Sequence, residues 1–261
     1  MIIQSFRDYN GNIQQVAHFN VTILNFKKCS KKTQKRQDIN SILGILYDIG
    51  SSYKEYPEGP TFWKSGYKSE YGKFFMNWYS EKLIEHGRNI LEIAREAFPT
   101  TRLSAKISGF HWQYLNNTRC AEATAGDYNT NGHEGYSEIA KMFKENDTDF
   151  CFTCLEMKGQ DKESASDPES LVYEVFQSAL KYGLNFEGEN AIERYDWDAY
   201  KQVLSWASKG LNEFTFLRMT GKLMDDHRTW KDFVKFTKMM HEGGYEEEDD
   251  DCNNLFEIIR E

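Results

Sequence analysis

Four times between Leu103 and Met240, a short β-rich run is followed by polar residues and then by a helical pattern. The runs are Leu103 to Phe110, Phe150 to Met157, Leu184 to Ala191 and Glu213 to Met219. The helical stretches behind them are Gly135 to Phe143, a segment opened by Asp167, Asp198 to Ala207, and Trp230 to Met240. The second of these is the best signposted: Asp167 suits the N-cap, Pro168 the first helical position, and Gly183 the turn past the end. Strands alternating with helices point to a parallel sheet whose faces are covered by helices, so the expected fold class is α/β.

Before these units, apolar residues at Phe75, Tyr79, Leu83, Ile90, Ala94 and Ala97 recur at three, four and seven. That period predicts a long amphipathic helix from about Gly72, stopping before Pro99. Residues 1 to 60 show no sustained period and carry a basic cluster of Lys27, Lys28, Lys31, Lys32, Lys35 and Arg36. Near the C-terminus, Glu246 to Asp251 form an unbroken acidic run, the pattern of a solvated tail.

Composition narrows the functional classes. A net charge of -9 argues against nucleic acid or an anionic membrane surface as the main partner, since both reward clustered Lys and Arg. No apolar run approaches the roughly 18 residues of a spanning helix, and Met1 to Asp8 lack the pattern of a secretory leader. A soluble, cytoplasmic protein is the expectation. Five cysteines at 29, 120, 151, 154 and 252 do not describe a disulfide framework. Cys151 and Cys154 spell C-x-x-C, but within an expected strand, at an odd separation, they should point to opposite faces as two buried thiols. With no second cysteine pair and scattered histidines, neither metal nor cofactor is expected. No dinucleotide fingerprint, phosphate loop or serine-hydrolase elbow occurs.

In α/β folds, ligands sit at the carboxyl ends of the strands. Those ends fall at Lys106 to Trp112, Thr153 to Met157, Glu187 to Asn190, and Arg218. Glu187 and Glu189 are two apart, so on a strand they face the same way. Glycosidases need carboxyls on opposite sides of a sugar, about 5 to 9.5 Å apart, which favours only one of this pair as catalytic. A helix-start carboxylate remains a plain alternative for Glu189. His111-Trp112-Gln113-Tyr114 joins an imidazole to flat aromatic surface suited to a sugar, or forms an aromatic loop on the rim. Lys106 within an apolar strand implies either a site mouth or a structural ion pair.

Several stretches together resemble the β-amylases, glycoside hydrolase family 14. They are Gly72 to Ser80, Lys106 to Trp112, Thr124 to Asn129, Phe152 to Met157, Gly188-Glu189-Asn190-Ala191, and Phe216-Leu217-Arg218, in the family's order. The resemblance implies a (β/α)8 TIM barrel that removes maltose from the non-reducing ends of α-1,4-glucans such as starch and glycogen, with inversion. It places Glu189 at the general base that activates water. It places Lys106, His111, Thr153, Asn190, Ala191 and Arg218 at substrate-binding positions, with no metal. The family's general acid lies in a Gly-Glu-Leu-Arg-Tyr-Pro-Ser-Tyr-Pro stretch, which this sequence does not contain. Gln113 and Arg119-Cys120 also depart from the family's pattern.

The expected architecture is thus a partial barrel of about strands 5 to 8 over residues 53–243, between an unassigned segment, 1–52, and an acidic tail, 244–261. Unpaired barrel edges invite self-association. By the same reading the chain alone should not hydrolyse glucan, and the alternative is a glucan-binding or interaction protein derived from a β-amylase.

Overall fold

A computed structural model describes residues 61–242. The basic cluster, the acidic run, Cys29 and Cys252 lie outside the described residues, as do the whole of the segment read as 1–52 and the whole of the tail. Four parallel strands form one sheet in the order β1 (Leu103–Lys106), β2 (Thr148–Phe152), β3 (Phe186–Glu189) and β4 (Glu213–Thr215). Spatial order follows chain order, so each strand returns beside its predecessor through helix. Among the described residues, β1 and β4 each pair on one side only.

The helices are α1 (Thr61–Lys64), α2 (Glu70–Ala97), α3 (Cys120–Ala125), α4 (Gly135–Glu145), α5 (Pro168–Lys181), α6 (Trp197–Ser208), α7 (Gly221–Met224) and α8 (His227–His241). Local signals explain their starts. Ser69 caps α2 by accepting from Gly72 N–H at 3.0 Å, and Asp167 caps α5 by accepting from Ser170 N–H at 3.0 Å. Asp196 and Asp226 do the same for α6 and α8. Gly183 takes φ +63 just past α5, a left-handed conformation natural to glycine.

The sheet has two chemically distinct faces, because strand side chains alternate. On the outer face, Ala105, Phe150, Phe152 and Phe186 are buried within a core that includes Phe143 of α4, Phe176 of α5, Tyr200 of α6 and Phe236 of α8. Rings meet edge to face, Phe143 with Phe150 at 5.0 Å and Phe176 with Phe186 at 5.2 Å. Burying each such side chain contributes about 2 to 3 kcal/mol, so this layer is what holds the strands in place. The alternate positions are Ser104 and Lys106, Asp149 and Cys151, Glu187 and Glu189, Glu213 and Thr215, all polar or ionisable. They form the inner face.

The strands are shorter than the β-rich runs suggest, at four, five, four and three residues. Each run leaves the ladder near its carboxyl end and bends into a loop. Cys154, at φ +60, marks such a departure two residues after β2. The C-x-x-C pair therefore differs from expectation: Cys154 is fully buried, but Cys151 is half-buried on the inner face. Burial and the charges of Glu189 and Glu187 push the Cys151 thiol up to about 12. Both cysteines are free thiols.

Candidate functional site

Glu189 is the last residue of β3 and points along the inner face beside Lys106, the last residue of β1. Their ammonium and carboxylate meet at 2.5 Å. The pairing crosses β2, whose Cys151 stands level with Lys106 on one side and with Glu187 on the other, so the contact runs diagonally up the sheet. Glu189 is buried while the Lys106 side chain is 43% exposed. A buried carboxylate is thus paired with a cation that reaches solvent.

The loop after β3 is fixed by two devices. Glu156, itself buried, accepts the N–H of Ala191 at 2.9 and 3.0 Å and that of Ile192 at 2.8 Å. Burial pushes its carboxyl up and these N–H groups oppose the shift. Asn190 uses its whole amide on the protein: Nδ2 donates to Ile192 O at 2.9 Å and Leu217 O at 3.0 Å, and Oδ1 accepts from Leu217 N–H at 2.5 Å. Both amide hydrogens are thus committed, and a ligand at Asn190 would meet its backbone or the second lone pair of Oδ1. Its clasp on Leu217 sets the segment that carries Arg218, an exposed residue at φ +62 whose carbonyl accepts from the Tyr195 hydroxyl.

Gly188 makes this arrangement possible. A Cβ there would lie 2.0 Å from Leu155 Cδ2, so only glycine lets the turn after β2 settle against the end of β3. Gly109 in the loop after β1 is closely packed too, with a Cβ there 3.0 Å from the Phe152 ring and the Thr153 methyl. Thr153 is half-buried and adjoins that loop.

His111 sits in the same loop, with Nδ1 2.7 Å from Ser166 Oγ and its ring edge-on to Trp112 at 5.3 Å. Burial lowers its pKa, favouring the neutral ring. The loop is stitched to the segment before α5 by Gln113 N–H to Ser164 O at 2.8 Å and Asp167 N–H to His111 O at 3.1 Å. Behind it, buried Glu122 accepts from Arg119 at 2.7 Å and from the Tyr136 hydroxyl, and its carboxyl is pushed up to about 7 by burial.

Lys106 and Glu189 are thus in contact, Asn190 and Ala191 follow Glu189 directly, and Arg218 is tied to them through Leu217. His111 and Thr153 stand on the two neighbouring loops. Sequence reasoning missed Glu156 and Ser166 as positioning groups. Glu156 lay inside a stretch already singled out, and no short-range signal connects Ser166 to a histidine 55 residues away. Among the described residues, no group of three or more His, Cys, Asp or Glu could hold a metal ion. No described helix is long and apolar enough to cross a membrane.

A parallel sheet with helices packed on its outer face, a polar inner face and its constellation at the carboxyl ends of the strands defines a sector of a (β/α) barrel. Comparison with known proteins makes this specific. The profile of glycosyl hydrolase family 14 matches residues 11–246, a span that takes in most of residues 1–52 as well as the barrel sector. The chain belongs to this family.

It is 39% identical over 216 residues to β-amylase 2, chloroplastic, of Arabidopsis thaliana, a match covering 77% of this chain and 40% of that protein. It is also 39% identical to β-amylase Tri a 17 of Triticum aestivum, covering 75% and 42% respectively. The chain therefore spans about two fifths of the length of these relatives. In structure it is similar to the catalytic domain of β-amylase from Paenibacillus polymyxa, with a TM-score of 0.61 and 26% identity, over 89% of this chain and 55% of that one.

Proposed function

We propose that this chain supplies the water-activating side of a β-amylase site, one that releases maltose from the non-reducing ends of α-1,4-glucans with inversion. The observation that carries the reading is Glu189, buried at the carboxyl end of β3 and paired with Lys106 at 2.5 Å. A carboxylate fixed in place at a strand end suits a general base, which must accept a proton from water in the transition state. Lys106 spends one of its three donors on Glu189, leaving others for sugar hydroxyls. On this reading His111, Thr153 and Arg218, with the backbone of Asn190 and Ala191, bind the glucan.

An inverting reaction also needs a carboxylic acid on the far side of the glycosidic bond, about 6.5 to 9.5 Å from the base. The other inner-face carboxylates of the described residues, Asp149, Glu187 and Glu213, lie toward the amino ends of the strands and are held by Arg102. On this reading they serve the sheet, and the acid is supplied from outside the described residues. The same observation favours a second reading, in which the chain holds glucan without cleaving it.

Maltose release from soluble starch separates them. The 261-residue chain alone is expected to show negligible turnover. Joined to the amino-terminal barrel half of a family relative, it is expected to release maltose as the β-anomer. Maltoheptaose binding without turnover in the joined protein would favour the binding reading, and neither binding nor turnover would overturn both.

A further inference from the structure

Arg119, where the sequence departs from its family's pattern, is the hub of a buried ion cluster behind the His111 loop. It stands just before α3, with its side chain 15% exposed. Its Nε and Nη2 grip both oxygens of Glu122 in α3, Nη2 at 2.7 Å, and its Nη1 reaches both oxygens of Glu174 in α5 at 3.1 and 2.8 Å. The Tyr136 hydroxyl of α4 also donates to Glu122. The guanidinium carbon lies 4.3 Å from the centre of the Tyr114 ring, whose hydroxyl donates to Glu174 at 2.9 Å. One planar fork therefore serves two carboxylates and one ring at once, which an ammonium cannot do.

Two chain segments meet through these contacts. Tyr114 belongs to the loop after β1 that carries His111, and residues 164–167 lead into α5. The two are laced together: Gln113 N–H donates to Ser164 O at 2.8 Å, Leu115 N–H to Ala165 O at 2.9 Å, and Asp167 N–H to His111 O at 3.1 Å. Gln113 at φ +60 and Ala165 at φ +50 take left-handed conformations unfavourable for residues with a side chain, as does Arg119 itself at φ +46. Such backbones persist only where the surroundings over-determine them. Arg119 supplies that constraint by tying Tyr114, in the loop, to Glu174, two turns into α5.

The laced segments hold the His111 ring between them. Ser166 Oγ meets Nδ1 at 2.7 Å, and that partner decides which ring nitrogen bears the proton and leaves Nε2 as the nitrogen a ligand would meet. The path from Arg119 to the imidazole runs through Tyr114 on one side and through Glu174 and the start of α5 on the other.

We propose that Arg119 is a positioning residue of the strand-end site: by clamping Tyr114 to Glu174 it fixes the orientation and tautomer of His111. The proposal rests on the glucan reading above only for what His111 touches, and the clamp itself is tested without glucan.

Ring-nitrogen NMR of the full 261-residue chain tests it, with His111 assigned from the signals lost in His111→Asn. In the parent, His111 is expected to show one neutral tautomer and to titrate below its ordinary 6.5, because burial disfavours the charged ring. Arg119→Lys keeps the charge but cannot bridge both carboxylates, and is expected to give mixed tautomers and a His111 titration moved up toward 6.5. Tyr114→Phe removes the hydroxyl's bond to Glu174 and is expected to move His111 the same way by less. His133, held by Tyr128 O at 2.7 Å and by Glu138 at 3.2 Å, should keep its parent signals in both.

Unchanged His111 signals in a folded Arg119→Lys variant overturn the proposal; if that variant does not fold, unchanged signals in Tyr114→Phe do. A His133 shift as large as that of His111 also overturns it, since it marks general loosening rather than a clamp on one ring. None of these outcomes needs a sugar. A joined barrel that neither binds nor cleaves glucan would overturn the glucan reading and leave the clamp standing.

Discussion

The inner face of the sheet carries one ion cluster at each end, and the two are built on opposite plans. At the amino ends, Arg102 reaches Asp149 of β2, Glu187 of β3 at 2.8 Å and Glu213 of β4, with Ser104 adding a bond to Glu187. One cation is shared among carboxylates from three neighbouring strands. At the carboxyl ends, a single ammonium meets a single carboxylate, and the surrounding polar groups arrive on loops. The lower cluster spends its charge on holding strands in register. The upper one leaves donors and a carboxylate available, and places backbone turns where a ligand would lie. On the proposed function, identical residue types serve structure at one end and chemistry at the other, and the distinction comes from what else the chain brings to each end.

The largest expected effect lies at the upper cluster. Glu189→Gln keeps the shape and a hydrogen bond to Lys106 but removes the proton acceptor. In the joined barrel, maltose release should fall at least about a hundredfold, while maltoheptaose binding persists. Turnover within a factor of a few of the parent would show that Glu189 is not the base and that the upper cluster is as structural as the lower one.

Glu156→Gln comes next. The carboxylate takes three N–H contacts from Ala191 and Ile192 in a buried site, and an amide turns an NH2 group toward donors. A stability loss of about 1 to 3 kcal/mol is expected in denaturant titration. Because Glu156 acts through the loop after Glu189, kcat in the joined barrel should drop more than KM rises. Equal stability with intact kcat would mean that the loop is held without it.

The longer helices and the strand–helix alternation were legible because their signals are local, whereas the short helices α1, α3 and α7 were not read and the strand order came only with the family resemblance. Asp167, Pro168 and Gly183 announce α5 within its own residues, and the apolar period announces α2. The pairing of Lys106 with a carboxylate was also foreseeable, since an ammonium in an apolar strand needs a partner. Strand ends were overextended because Phe216 and Leu155 are apolar for packing reasons that operate outside the ladder. Cys151 looked like a core thiol for the same reason: residue type tells burial on average, while the strand's alternation sends this one to the inner face beside Glu189. The lower cluster could not be read at all. Arg102, Asp149, Glu187 and Glu213 are separated by tens of residues, and only the parallel register brings them level.

Arg102→Met tests that lower cluster and carries the smallest effect. Arg102 is half exposed, so its pairs are screened and its loss should cost about 1 kcal/mol at neutral pH. The pH dependence is more telling than the size. Burial raises the Glu187 carboxyl above its usual value, with Glu213 and Asp149 adding to the rise and Arg102 opposing it. A carboxyl raised in the folded state adds stability below its unfolded pKa, and that contribution is lost as pH rises through the folded value. Without Arg102 the folded value climbs further, so the variant loses more than the parent over the same interval. The gap in Tm between parent and Arg102→Met should therefore widen from about pH 4 to neutrality, and close in acid, where the three carboxyls are uncharged. Glucan binding should be unaffected. A gap that stays constant with pH, or a loss of maltoheptaose binding by Arg102→Met in the joined barrel, would erase the division of labour between the two ends of the sheet.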